Sequence, residues 1–61
     1  MKQEDIEPFL HKQIKLVQNN GFILNGTIEK ITDDCVLFET KQATSLININ
    51  AIECIVERRE Q

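Results

Sequence analysis

Asn20-Gly21-Phe22-Ile23-Leu24-Asn25-Gly26-Thr27-Ile28 decides how this chain folds. Asn-Gly is the strongest short hairpin signal, because both residues accept positive φ. It therefore separates one strand ending at Gln18 from another beginning at Phe22. The second strand reads from Phe22 to about Ile31, with Phe22, Leu24 and Ile28 sharing a face with Gly26. That is long for a strand. A glycine in its middle marks a sharp bend, which lets one strand serve two sides of a curved sheet. On this alternation Phe22 belongs to the core.

Working outward, the first strand is Gln13 to Gln18, with Ile14 and Leu16 opposed to Lys15 and Val17. Thr32-Asp33-Asp34 ends the second strand. The third is Cys35 to Thr40, whose continuous Cys-Val-Leu-Phe run reads as covered on both faces. Lys41-Gln42 makes a turn, and the fourth strand runs from about Ala43 to Ile47. Asn48-Ile49-Asn50 interrupts the pattern before a fifth strand from Ala51 to Val56, with Ile52, Cys54 and Val56 on one face. Ahead of the strands, Ile6, Phe9 and Leu10 have helical spacing, and Glu4, Asp5 and Glu7 suit a helix start. This predicts a helix over about 4–11, lying on the sheet as a lid and ending at His11, whose charge would complement the helix dipole. Glu57-Arg58-Arg59-Glu60-Gln61 reads as a solvated tail in which the arginine charges are cancelled locally. The expected fold is all-β: one domain over 1–61, a strongly bent five-stranded antiparallel SH3-like barrel over about 13–56, with a short N-terminal α-helix. The edge strands carry Ser45, Ile47, Glu53 and Ile55, without the Pro or Lys that blunts an edge, so copies of the chain should pair edge to edge.

Composition narrows the functional classes. Sixty-one residues make one small domain that is marginally stable alone, so stability should come from a partner subunit. Val, Ile and Thr fill 16 of the 61 positions, which weights the chain toward strands. A net charge of −3 argues against a general polyanion binder. One His, no Tyr, no Trp and no ligand-dense cluster argue against an enzyme, a cofactor or a metal site. No apolar run reaches the roughly 20 residues of a membrane span. Cys35 and Cys54 lie in apolar stretches without Cys-x-x-Cys spacing. They read as two buried, reduced thiols in a cytoplasmic protein.

The quoted stretch, together with Val36-Leu37-Phe38, Pro8-Phe9-Leu10 and Asn50-Ala51-Ile52, resembles the Sm-like (LSm) family, which includes the bacterial Hfq host factors. The resemblance covers about residues 8–56. The chain departs from the family at Thr32, where an Asp is usual and Asp33 and Asp34 come next instead. It departs again at Asn48-Ile49-Asn50, where Sm proteins carry Arg-Gly and Hfq proteins Tyr-Lys-His. The resemblance implies a Sm-like barrel assembled as a ring of six or seven subunits, strand four of one pairing with strand five of the next. It also implies single-stranded RNA in the pore or across a face. The pore would be lined by Thr32, Asp33 and Asp34 on one turn and by Asn48 and Asn50 on another.

The candidate contacts rest on side-chain chemistry. Asn48 and Asn50 each offer a donor and an acceptor, complementary to a base edge such as uracil; equally, both suit a turn. Asp33 suits a base edge or a cation, or is a solvated turn acid. On the opposite face, Gln18, Phe22 and Asn25 flank the Asn-Gly turn, and Phe22 could stack on a base where relatives use an aromatic at the place of Val17. Lys15, with Lys12, Lys30 and Lys41, could meet phosphate or simply confer solubility. The expected function is non-enzymatic RNA binding by a homo-oligomeric ring. The alternative is a ring kept as a structural or protein-interaction module with RNA binding weak or lost.

Overall fold

Strand β2 (Ile23–Ile31) is shared between two halves of one sheet. Its first half pairs with β1 (Gln13–Gln18), Val17 lying opposite Ile23 and Gln13 opposite Thr27. Its second half pairs with β3 (Cys35–Glu39), Thr27 lying opposite Glu39 and Ile31 opposite Val36. The change of partner falls at Gly26-Thr27. A Cβ on Gly26 would collide with the carbonyl oxygen of Glu39 and lie 3.1 Å from the Phe38 ring. Only glycine lets the two halves approach this closely. A bulge between Ile28 and Lys30 then adds twist.

In the computed structural model, which describes residues 2–58, β4 (Thr44–Asn48) and β5 (Ile52–Glu57) complete a sheet of order β4-β3-β2-β1-β5. All paired neighbours are antiparallel. The expected five-stranded bent architecture is the observed one, and its edges are strands four and five, as expected. The tail residues Arg59, Glu60 and Gln61 lie outside the described residues. The concave side holds Ile14, Leu16, Ile28, Val36 and Phe38, all fully buried, with Ile47, Ile49 and Ile52 almost so. Each such side chain contributes roughly 1.5–3 kcal/mol of transfer free energy. Ile6 from the N-terminal segment is also fully buried and plugs this core, with Phe9 and Leu10 packed at its margin.

Several expectations are corrected. The N-terminal helix is a single turn, α1 (Gln3–Ile6), followed by a 3-10 turn at Glu7–Phe9. Pro8 has no N–H to give, and its ring would strike the carbonyl four residues back, so an α-helix over 4–11 cannot form. His11 caps no helix: it sits at φ 64, and its N–H donates to the Ile28 carbonyl at 2.8 Å. In the β1–β2 hairpin only Gly21 takes positive φ, at 90°. The turn is Asn19-Asn20-Gly21, with the Gly21 N–H on the Gln18 carbonyl and the Gln18 N–H on the Phe22 carbonyl. Phe22 stands opposite Gln18 at the turn end of the hairpin, beyond the core, and is 69% exposed instead of buried.

On β5, Gln18 pairs with Ile52 but Val17 pairs with Cys54, leaving Glu53 as a bulge. The bulge inverts the facing of the residues beyond it. Ile52 and Ile55 turn to the core, while Cys54 and Val56 face outward. Cys54 is therefore exposed and Cys35 half-buried; both are free, and neither is the deeply buried thiol expected. Strands four and five each lie one residue later than expected, so Asn48 ends β4 instead of trailing it.

The two glycines serve different needs, and substitution separates them. Gly26→Ala is expected to cost about 3 kcal/mol or more by overpacking against the β3 backbone. Gly21→Ala, with open space around its Cβ, should cost about 1–2 kcal/mol of backbone strain. Denaturant titration of both variants checks the order; equal losses would contradict the close approach at Gly26.

Candidate nucleic-acid interface

The last residue of β4, Asn48, caps the 3-10 turn Ile49–Ala51: its Oδ1 accepts the Asn50 N–H at 2.8 Å. Ile49, between the two asparagines, is only 4% exposed and anchors the turn in the core. The Ile49 N–H donates to the Asp34 carbonyl at 2.8 Å, which ties this turn to the one after β2. Asn19 ties it to the β1–β2 hairpin, since Nδ2 donates to the Asn50 carbonyl at 2.7 Å and its N–H to the Ala51 carbonyl at 2.8 Å. Three turns distant in sequence thus form one surface. It displays the side chains of Asp33, Asp34, Asn48 and Asn50, all exposed.

Half of the turn-forming reading of the asparagines is realised. The Asn48 oxygen is committed to the backbone of its own turn, whereas its Nδ2 and the whole Asn50 amide make no hydrogen bond among the described residues. Thr32, in the place where the family usually has Asp, does that turn's structural work. Its Oγ1 donates to the Cys35 carbonyl at 3.0 Å and accepts the Cys35 N–H at 3.1 Å. Asp33 and Asp34 are thereby released to solvent. The sequence signal for this was Thr three residues ahead of a strand start, a side-chain-to-backbone turn.

The second predicted set divides. Gln18, half-buried, and Phe22 face each other across the hairpin, whose turn joins the first surface through Asn19. Asn25 lies further along β2, exposed and opposite Lys15 on β1. Residues directly opposite across a ladder share a face. The outward face of β2-β1-β5 thus carries one row of Ile23, Val17 and Cys54 and another of Asn25, Lys15 and Val56. Ile23 is 53% and Val56 47% exposed, an apolar stripe that strand-by-strand reading missed because it exists only across three strands. Among the described residues no three His, Cys, Asp or Glu side chains could hold a metal ion, and no helix is long and apolar enough to cross a membrane.

Partial burial, with the negative Asp34 carboxyl beside it, pushes the Cys35 thiol above its ordinary pKa. A raised pKa leaves less thiolate at a given pH, and the thiolate is the reactive form. Asp34→Asn is expected to speed alkylation of Cys35 at pH 8, because a neutral neighbour no longer disfavours the thiolate. Mass-resolved labelling of the two cysteines measures this; an unchanged Cys35 rate would refute the influence of Asp34.

No family model matches the chain, and no curated protein matches it. Among solved structures, the chain is similar to the crystal structure of the pleiotropic translational regulator Hfq, with a TM-score of 0.80 and 23% identity. The match spans 90% of this chain and 86% of that one. One short helix, five antiparallel strands in one bent sheet and near-complete overlay on Hfq establish that the chain has the Sm-like, Hfq-like fold.

Proposed function

We propose that the chain is a non-enzymatic module that binds single-stranded RNA in the cytoplasm as a homo-oligomeric ring of six or seven copies. The observation that carries this reading is that β4 and β5 are the two open edges of one sheet, joined directly by the Asn48–Ala51 turn. Unpaired edges recruit further strands. Leu46 on β4 is 69% exposed and Val56 on β5 is 47% exposed, so apolar surface accompanies the free backbone groups. Pairing β4 of one copy with β5 of the next leaves an open edge at each end, and repetition closes into a ring when the rotation allows. Each copy then brings one Asn48-Asn50 pair to its junction between edges.

In that arrangement the free amides of Asn48 and Asn50 contact base edges, and Asp33 accepts from a base amino or imino group. Phe22 stacks on a base, worth about 1–3 kcal/mol, with Gln18 beside it. Lys15 contacts phosphate next to Asn25. The similar Hfq is a translational regulator, and the family resemblance implies RNA as ligand. A second reading keeps the ring but gives it a protein partner. It is favoured by Asp33 and Asp34, which put negative charge where phosphate would pass, and by the outward apolar row of Ile23, Val17 and Cys54.

Native mass measurement with and without nuclease should show six or seven copies that survive digestion; a monomer would remove the ring. Oligo(U) and oligo(A) should bind at low salt, with a shallow salt slope because few cations are present. Asn48→Ala with Asn50→Ala should weaken oligo(U) binding about tenfold, the loss of one or two base hydrogen bonds. An intact ring that binds neither oligonucleotide at low salt would decide for the second reading.

A further inference from the structure

The outward face of β2-β1-β5 sets apolar and cationic side chains side by side in ordered rows. Nearest the β1–β2 turn is the apolar row of Ile23, Val17 and Cys54, and next comes the row of Asn25, Lys15 and Val56. A third row follows, in which Thr27 lies opposite Gln13 and the Arg58 N–H donates to the Gln13 carbonyl at 2.9 Å. Successive rows on one face of a strand stand two residues, about 7 Å, apart. Lys15 is therefore one step from the apolar row, and Arg58 one step beyond Val56.

These rows hold two cations and no carboxylate, on a chain of net charge −3. The nearest acids on these strands and on β3 stand at the borders, Glu53 in the β5 bulge and Glu39 opposite Thr27. Glu57 belongs to the other side of the sheet, opposite core-facing Ile14, and its carboxylate is taken by Lys12 at 3.6 Å. Among the described residues neither Lys15 nor Arg58 forms an ion pair. Pairing of β4 with β5 between copies uses backbone groups in the plane of the sheet, so a ring leaves this face uncovered. The chemistry of the face selects its occupant. Ile23 and Val56 are about half exposed and gain by leaving water, which requires apolar side chains opposite them. Val17, Ile23 and Val56 have no π-face on which a base could stack, so nucleic acid would leave the apolar row unused. Lys15 and Arg58 require carboxylates in step with that row.

We propose that this face docks a segment of a partner protein carrying two or three aliphatic side chains flanked by Asp or Glu, an inference that rests on the protein-partner reading of the ring and gives the partner its chemistry.

The test uses the full chain and three short fluorescent peptides: a leucine stripe flanked by glutamates, the same peptide with Lys for every Glu, and the glutamate peptide with Ser for every Leu. The glutamate–leucine peptide should bind, more weakly as salt rises, and should slow alkylation of Cys54 but not of Cys35. Ile23→Ser should weaken it without changing the salt dependence. The double variant Lys15→Glu, Arg58→Glu should weaken it about tenfold, two exposed ion pairs being replaced by repulsion. The same variant should bind the lysine peptide more tightly than the unaltered chain does, a gain that a damaged fold cannot produce. Three results would overturn the site: the serine or lysine peptide binding the unaltered chain as tightly as the glutamate–leucine peptide, unchanged affinity in the double variant, or protection of Cys54 by oligo(A) and not by the peptide. The last would assign the face to nucleic acid. A peptide that fails to bind a ring without oligonucleotide affinity overturns this site alone. Oligonucleotide binding at low salt with no peptide binding overturns the protein-partner reading together with it.

Discussion

The contact on which this molecule turns is the one between the Gly26 backbone and the Glu39 carbonyl. A five-stranded sheet of this length, if flat, would leave one face of every strand against water and enclose nothing. At Gly26-Thr27, β2 leaves β1 and takes up β3, and the two halves of the sheet fold over each other there. The concave side so formed collects side chains from all five strands, and Ile6 fills its opening. The same bend fixes what is left over. With β1, β2 and β3 in the middle, β4 and β5 have no partner on their outer sides. The two free edges are thus a consequence of where the strand bends, not an added feature.

Much of this was legible because it is local. Strand β1 has the expected bounds, and Ile14, Leu16 and Ile28 point where alternation places them. The hinge was readable because a lone glycine inside a long β-rich run has few other uses. The features that escaped reading depend on pairing. Whether Cys54 or Ile55 faces the core is decided by the bulge at Glu53, and a bulge is a relation between β5 and β1 that neither strand carries alone. Phe22 shares the parity of Leu24 and Ile28 but stands next to the turn, and alternation alone does not say where along a strand the core ends. Pro8 was visible and its cost to a longer helix was underweighted against apolar spacing.

The candidate site shows the same division more sharply. Chemistry pointed to Asn48, Asn50 and Asp33, and all three are exposed on one surface. The bonds that assemble that surface run from Ile49 to Asp34 and from Asn19 to Asn50. They are made largely by backbone groups, which every sequence possesses, and they link residues 15 and 31 positions apart; no residue type announces them. The outward stripe of Ile23, Val17 and Cys54 is likewise a property of neighbouring strands, and each of its residues looks ordinary in its own segment.

Charge then decides how a polyanion could meet an acidic chain. At physiological salt the Debye length is about 8 Å, so the net charge of −3 matters less than which groups stand within that distance of a phosphate. Asp33 and Asp34 repel phosphate at the turn surface but can accept hydrogen bonds from bases there. Lys15 lies on the outward face of β1, and Lys41 and Arg58 lie toward the other ends of the strands. Phosphate is thus repelled at the turn surface and attracted at the far ends of the strands. Position on the molecule, rather than overall attraction, is therefore what this charge pattern selects.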